Sequence, residues 1–511
     1  MSRSSRAAKG FATGIVQFAT QIAVQALLAP IVLKVAGRET LGAFAAIMQV
    51  VGLLALVDLS HAWSLERFLA QSAAMDDDCQ RFRVVFTTAR IMSLLSNALF
   101  ALLVVIFSLH LGRLFGLSPH IAHQARNALW VIAVWAIVRT PLEIYNNALV
   151  ALQHLAAVNI IWTITGVGRA VVSLVFVLAG LGLPGLILAS VVVEGVGLFL
   201  YRNRFRQLHP TIRPRWGVPD RLLLREMAGF GAHAMFLSIG NMLMFTSGNA
   251  VAGFVGGAAA ASTFYTTQIP ATTGFYLINR LPESTAPAVN ELWGRKQVEL
   301  LKNSLCRLMR LTLLLSVPLG TGVLLFNRDL VTAWVGPLQF GGVLLTAALA
   351  AFCLIAPVVR IGMIYALAIG WVRSLTVAAL VQGVANVALG IWFGRTLGLG
   401  GVALALVLVL LPQMIYLWVK LSRELAFNPV ALVKDCVVPL LGPVALATIC
   451  GLTVARISAG HGLFTVALEC LVFAGVYVGS AYLLALNPQD RGDLDHYISK
   501  LYFIRKTEGV A

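Results

Sequence analysis

LAAVNIIWTITGVGRAVVSLVFVLAGLGLPGLILASVVVEGVGLFLY, residues 155–201, holds two apolar runs, 155–181 and 184–201, on either side of a Gly-Pro turn. A hydrocarbon core of about 30 Å needs roughly 20 residues of helix to cross it, and both runs are close to that length. Backbone groups in lipid have to be satisfied within their own segment, so each run reads as a helix. Membrane strands are shorter and alternate apolar with polar residues, which these runs do not.

Similar runs recur on both sides, from residue 11 to residue 485. Fourteen spans are expected, near 11–36, 41–70, 84–112, 125–150, 155–181, 184–201, 227–255, 260–290, 309–326, 341–369, 372–394, 399–420, 436–456 and 462–485. With 59% hydrophobic and 12% charged residues, the 511-residue chain lacks the polar surface a soluble domain needs. The fold class is all-α: a polytopic membrane protein. The basic N-terminus, MSRSSRAAKG, precedes a run too long for a signal peptide and is read as leading into an uncleaved first span.

The formal net charge of +17 would suggest nucleic acid in a soluble protein. Here it reads as topology, with contact to anionic lipid, and no nucleic-acid partner is expected. If the N-terminus lies inside, 25 of the 38 lysines and arginines fall in inside segments, 7 in outside loops and 6 within spans. That asymmetry predicts an even span count with both termini cytoplasmic. None of Cys79, Cys306, Cys353, Cys436, Cys450 and Cys470 forms a CxxC pair, and His120 and His123 have no third ligand nearby in sequence. Neither a disulfide, a metal site nor a cofactor is expected.

TGVGRAVVSL (165–174) with LGLPG (181–185) is echoed by QGVANVALGI (382–391) with LGLGG (397–401), at offsets of 217 and 216 residues. The echo predicts two six-span lobes, 1–205 and 227–420, joined by a basic cytoplasmic linker, 206–226. Residues 421–511 would add two further spans and a cytoplasmic tail. Both copies start and end inside, so the lobes should relate by an axis along the membrane normal.

Charged groups inside spans are expensive and face protein or water. Arg67 and Arg90 lie near cytoplasmic ends and are read as snorkelling anchors. Arg139, Arg169, Arg280 and Arg360 lie deeper. Arg139 with Glu143, and Arg280 with Glu283, have the spacing of one helical turn and can pair. Asp58 and Glu194 have no local partner in the sequence and are candidates for ion coupling, although Asp58 can equally brace the second span. Thr13, Gln17, Thr20, Gln21 and Gln25 form one polar face on the first span. On the eighth, Thr272, Tyr276, Asn279 and Glu283 do the same beside Arg280, in a segment that Pro270, Pro282 and Pro287 can bend. Such faces either glue helices together or line a wet cavity.

LGAF (41–44) followed by DLSHAWSLERFLA (58–70) is similar to the second-span pattern of the multidrug/oligosaccharidyl-lipid/polysaccharide (MOP) exporter superfamily. LGLPG and LGLGG resemble the turns that open its sixth and twelfth spans. The run from Ser238 to Leu319 resembles the seventh to ninth spans of its polysaccharide-transport branch. The resemblance implies two six-helix lobes around a central cavity, alternating access and, for Wzx-like O-antigen flippases, movement of undecaprenyl-pyrophosphate-linked oligosaccharide across the bacterial cytoplasmic (inner) membrane. Fourteen spans fit that branch or the lipid II flippases, but this first span has no arginine. The implied partners are the lipid-linked oligosaccharide and membrane lipids, with a polysaccharide polymerase and glycosyltransferases as further candidates.

A pyrophosphate calls for arginine forks and a glycan for neutral donors and acceptors. Arg280, followed by Arg169, Arg139 and Arg360, is therefore the expected phosphate ligand. Gln17, Gln21 and Gln25 from the other lobe, with Tyr276 and Asn279, would contact the substrate. The alternatives are a lipid II-type or multidrug exporter, or a membrane glycosyltransferase, polymerase or ligase. Such an enzyme usually needs a large outside loop, and the outside connections here are short. No GxxxxGK[ST] motif is present, which excludes ATP-driven transport by this chain alone. A transporter, not an enzyme, is expected.

Overall fold

A computed structural model of the chain describes residues 3–56, 65, 68–69, 80–210, 219–457, 462–486 and 491–492. Side chains at 3–16, 18, 21, 25, 80, 228 and 230–234 are not among those described. The helices are α1 (Arg3–Leu54), α2 (Gln80–Leu114), α3 (Pro119–Ala151), α4 (Leu155–Leu178), α5 (Gly182–Leu208), α6 (Arg221–Phe245), α7 (Gly248–Gly294), α8 (Val298–Val335), α9 (Val343–Ile369), α10 (Val372–Leu397), α11 (Leu399–Glu424), α12 (Pro429–Ile457) and α13 (Leu463–Leu484). Among the described residues ten helices are long and apolar enough to cross a membrane. An eleventh is counted if Met235–Phe245 and Gly248–Gly294, bent by 45°, form one span.

The first two expected spans are the two arms of α1, broken at Gly37 (φ 84, ψ 171). The same break recurs in α7 at Gly257 (φ 78, ψ 179) and begins the eighth span. That region of backbone space is essentially open only to glycine, so each Gly breaks the helix without a loop. The turns of the two sequence copies also use left-handed glycines, Gly180 and Gly182 in one and Gly398 in the other.

The helices are inverted relative to a soluble bundle, and α2 shows this most directly. Leu95, Leu99, Leu102, Ile106 and Leu109 form an exposed stripe at spacings of four and three, while Arg90, Ser93, Asn97 and Ser108 are buried. A helix that hides its polar face and exposes its leucines is solvated by lipid. The chain is a multi-pass membrane protein.

Two compact units emerge. One comprises Met1–Thr266 with Arg373–Leu406, the other Thr267–Val372 with Val407–Ala511. In the first, α1 packs along α4, α2 along α3, and α3 and α4 against α5. One core of this unit is rich in small residues, including Ala43, Ala46, Ala125, Ala128, Ala258 and Ala261, which let membrane helices approach closely. A second is aromatic, with Phe82, Phe86, Tyr145 and Phe205 at centroid separations of 5.4 to 6.4 Å. Asn386 of α10 donates to the carbonyls of Leu243 and Met244, both at 3.1 Å, where α6 ends. It supplies donors to carbonyls that the break before α7 deprives of their helical partners. In the second unit α8 packs against α9, α12 and α13. Phe326, Ala447, Phe473 and Tyr477 make one core there, and Leu305, Tyr365 and Trp418 belong to another.

Candidate functional site

Trp135, Arg139 and Glu143 succeed one another at intervals of four on α3 and so share a face. Packing of α3 between α2 and α5 brings that face against Asn97 and Glu194. Arg139 Nη1 donates to Glu194 Oε1 at 2.6 Å, and its Nη2 donates to Asn97 Oδ1 at 3.3 Å. Its Nε lies 3.5 Å from Glu143 Oε2. Asn97 Nδ2 donates to Glu143 Oε1 at 2.9 Å and to Thr140 Oγ1 at 3.2 Å. Trp135 Nε1 donates to Glu194 Oε2 at 2.9 Å. The side chains grade outward: Glu143 is 12% exposed, Arg139 17% and Glu194 33%.

This network corrects one expectation. Glu194 lacks a partner only in the linear sequence; the fold gives it an arginine and an indole. Arg139 does pair with Glu143 but is shared with a second carboxylate, which leaves it poorly placed to hold a phosphate permanently. Arg90 is also not a snorkelling anchor. It is 6% exposed, donates to the Pro141 carbonyl at 3.2 Å and lies 5.5 Å from the Phe86 ring centre.

The remaining arginines differ. Arg169 is exposed on α4 and has no hydrogen bond or ion pair among the described residues. Its helix packs along α1, which carries Gln17, half-buried, and Gln21 and Gln25, whose side chains lie outside those described. Arg169 and the glutamines thus lie on the two helices of one packed pair, a pairing the sequence did not reveal. On α7, Tyr276, Arg280 and Glu283 form an exposed face. Glu283 accepts from Arg360 Nη2 of α9 at 2.8 Å, not from its helical neighbour Arg280, and both partners are about two-fifths exposed. Asn279 departs from the expected face. It lies about 60° around the helix from Tyr276, toward the stripe of Phe275 and Ile278, and is 6% exposed. Asp58 lies outside the described residues, as do Arg67 and Cys79.

Elsewhere in the second unit a cavity of about 350 Å³ is walled almost wholly by apolar groups, including Leu314, Pro318, Leu319, Phe326, Phe473 and Tyr477. Where α4 begins and α5 ends, His154 and His209 approach Nε2 to Nε2 at 3.1 Å, and burial lowers the His209 pKa. Among the described residues no group of three or more His, Cys, Asp or Glu side chains could hold a metal ion. His120 and His123 instead contact Gln124 and Asn127.

The fold is similar to that of an inward-facing multidrug resistance MATE family transporter of the MOP superfamily. The TM-score is 0.68 at 16% identity, over 82% of this chain and 99% of that one. It is equally similar to the lipid II flippase MurJ in an inward closed conformation, with TM-score 0.68 at 14% identity, over 94% of this chain and 98% of that one. A MOP superfamily transporter from Pyrococcus furiosus matches with TM-score 0.60 at 15% identity, over 82% of this chain and 95% of that one. At such identities the likeness establishes the fold alone. No curated protein sequence matches the chain. The model of a family described as polysaccharide biosynthesis protein matches residues 37–337. That match spans more than half of the chain, so the chain belongs to the polysaccharide biosynthesis protein family.

Proposed function

We propose that the protein is a flippase that moves undecaprenyl-pyrophosphate-linked oligosaccharide, an O-antigen or exopolysaccharide repeat unit, across the bacterial cytoplasmic membrane. It would work by alternating access of two six-helix lobes, 1–205 and 227–420. The observation that carries this reading is the family match over 37–337, a segment that includes the arginine-bearing faces of α4 and α7. The chemistry of those faces supports it. Arg169 and Arg280 are exposed on helices that read as membrane-spanning, where lipid tails cannot solvate a guanidinium and an anionic ligand can. The apolar cavity beside Phe326 and Phe473 suits a prenyl chain, whose burial is favourable along its length.

A strain lacking its own flippase decides the matter. Expression of this chain should restore surface glycan and clear lipid-linked oligosaccharide from the inner leaflet. Glycan that stays intracellular at normal protein levels would refute the proposal. If instead deletion of this chain from its own host leaves lipid-linked oligosaccharide on the outer leaflet but unextended or unligated, the chain acts as an enzyme.

The orientation has its own test. The excess of basic residues on one side places Cys79 and Cys306 in the cytoplasm. Both should resist an impermeant thiol reagent in intact cells and react after permeabilisation. Labelling of either in intact cells reverses the topology.

A further inference from the structure

We propose that Trp371, Lys420 and Arg423 form a site for the phosphate of an anionic phospholipid. All three belong to the second unit. The site lies apart from the arginine-bearing faces of α4 and α7 and does not rest on the flippase reading.

Tyr416, Lys420 and Arg423 follow one another on α11 at intervals of four and three, so they share a face. Before Lys420 the exposed side chains of this helix are apolar: Ile415 is 59% exposed and Val419 41%. After it, Arg423, Glu424 and Asn428 are exposed. That change marks the boundary between hydrocarbon and headgroups, where Trp and Tyr rings collect and lysines reach outward. With the topology expected from the basic residues, this boundary lies in the cytoplasmic leaflet, which carries anionic lipid.

The lysine is held in place by rings. Trp371, at the turn between α9 and α10, packs against the core that contains Tyr365 and Trp418. Its ring centre lies 3.9 Å from Lys420 Nζ. Nζ donates to the Tyr416 hydroxyl at 3.4 Å and lies 5.6 Å from that ring centre. The end of α11 is itself fixed, because Leu417 lies against Gly362 and Trp418 Nε1 donates to the Val358 carbonyl at 3.3 Å. An ammonium has three donors. The indole covers one side of it and the phenol oxygen takes one N–H, which leaves capacity for an acceptor from the headgroup layer. Among the described residues neither Lys420 nor Arg423 forms an ion pair, although Glu424 adjoins one and stands a turn from the other. Residues three apart on a helix have Cβ atoms about 5–6 Å from each other, so both cations can reach one phosphate. A ring face attracts a cation more weakly than a full negative charge does, so a phosphate oxygen adds to the Trp371 contact. A phosphocholine headgroup brings its own cation. Two protein cations therefore favour a headgroup of net negative charge, such as phosphatidylglycerol.

Native mass spectrometry of the full chain in detergent micelles tests the site, with phosphatidylglycerol and phosphatidylcholine added at equal concentration. Wild type should retain phosphatidylglycerol in preference. Lys420→Gln should weaken the tightest site about fivefold, the effect of losing one cation near the membrane surface, and Arg423→Gln should do the same. Lys420→Arg keeps the charge and should bind as wild type does. Trp371→Leu should weaken binding, and Trp371→Phe, which keeps a ring face, should weaken it less. Melting in phosphatidylcholine alone reports folding. The variants should match wild type there and lose only the added stability that phosphatidylglycerol gives. Equal retention of the two lipids by wild type, or unchanged retention by the Lys420→Gln Arg423→Gln protein, overturns the site. Displacement of the lipid by inorganic phosphate at the same concentration overturns it too, since the ligand is then a free anion. If Lys420→Gln melts early in phosphatidylcholine, Lys420→Arg decides: a folded Lys420→Arg protein without lipid preference overturns the site, and one with it upholds the site.

Discussion

Gly42→Ala is expected to unseat the crossing between the second arm of α1 and the start of α7, with a loss larger than any other single methyl group here would cause. A Cβ at Gly42 would overlap the Ala258 carbonyl oxygen and lie 2.8 Å from the Ser262 nitrogen. These are backbone atoms, so no rotamer change relieves the overlap, and the helices have to separate. Overpacking of a core typically costs about 1–3 kcal/mol, and a clash with main chain belongs at or above the top of that range. The damage extends beyond one contact. Arg38 Nη2 donates to Thr263 Oγ1 at 2.9 Å, the Ser118 N–H donates to Glu39 Oε1 at 2.8 Å, and the Ala250 N–H donates to Gln49 Oε1 at 2.9 Å. The first and last of these bridge α1 and α7 and depend on the same close approach. Detergent-solubilised Gly42→Ala should lose its monodisperse peak at a much lower temperature than wild type, and Gly42→Val should fall further. Gly442→Ala is the control, because nothing lies within 4 Å of its Cβ. Its melting should be unchanged or slightly raised, since alanine is the better helix former. A wild-type melting temperature for Gly42→Ala would mean that the helices cross elsewhere.

The fold was legible because the decisive signal is crude: apolar runs of membrane-crossing length, with basic residues sorted to one side. The breaks were harder to see. Gly37 and Gly257 break their helices without a polar loop, so nothing in the composition marks them apart from a glycine among many. The break between α6 and α7 was missed altogether, because the side chain that repairs it, Asn386, comes from α10, more than a hundred residues later. The site divides in the same way. The i, i+4 rule found Arg139 with Glu143, since both are on one helix. It could not find Glu194, which comes from α5, and the i, i+3 spacing that allowed Glu283 to pair with Arg280 gave no sign of Arg360 on α9, from which Glu283 accepts. The interval of four from Trp135 to Arg139 to Glu143 was a readable clue that three polar groups shared a face. Asn279 was misplaced because a helical position 60° off the exposed stripe sits at its edge, and only packing decides which way such an edge faces.

Arg280→Ala is expected to abolish most surface glycan in a complementation assay, and Arg280→Lys to retain part of it. Of the four deep arginines, Arg139 is committed to Glu143 and Glu194, and Arg360 to Glu283. Arg169 and Arg280 are exposed, each on a face proposed to meet the phosphate. Arg280 shares its face with the phenol of Tyr276, which is 48% exposed and offers a glycan a hydroxyl donor and an apolar ring. A charge-assisted hydrogen bond contributes about 1.5–3 kcal/mol, which corresponds to roughly a ten- to hundredfold loss when the guanidinium is removed. Lysine keeps the charge but not the planar fork that meets two phosphate oxygens at once, so its loss should fall between wild type and alanine. Arg169→Ala should behave like Arg280→Ala. Arg139→Ala should differ in kind, because it leaves two carboxylates in a buried network without their cation, and the protein level itself should drop. Blotting for protein separates these cases. Full glycan display by a well-expressed Arg280→Ala protein would eliminate Arg280 as the phosphate anchor, and equal loss in the lysine and alanine variants would show that the fork, not the charge, binds the substrate.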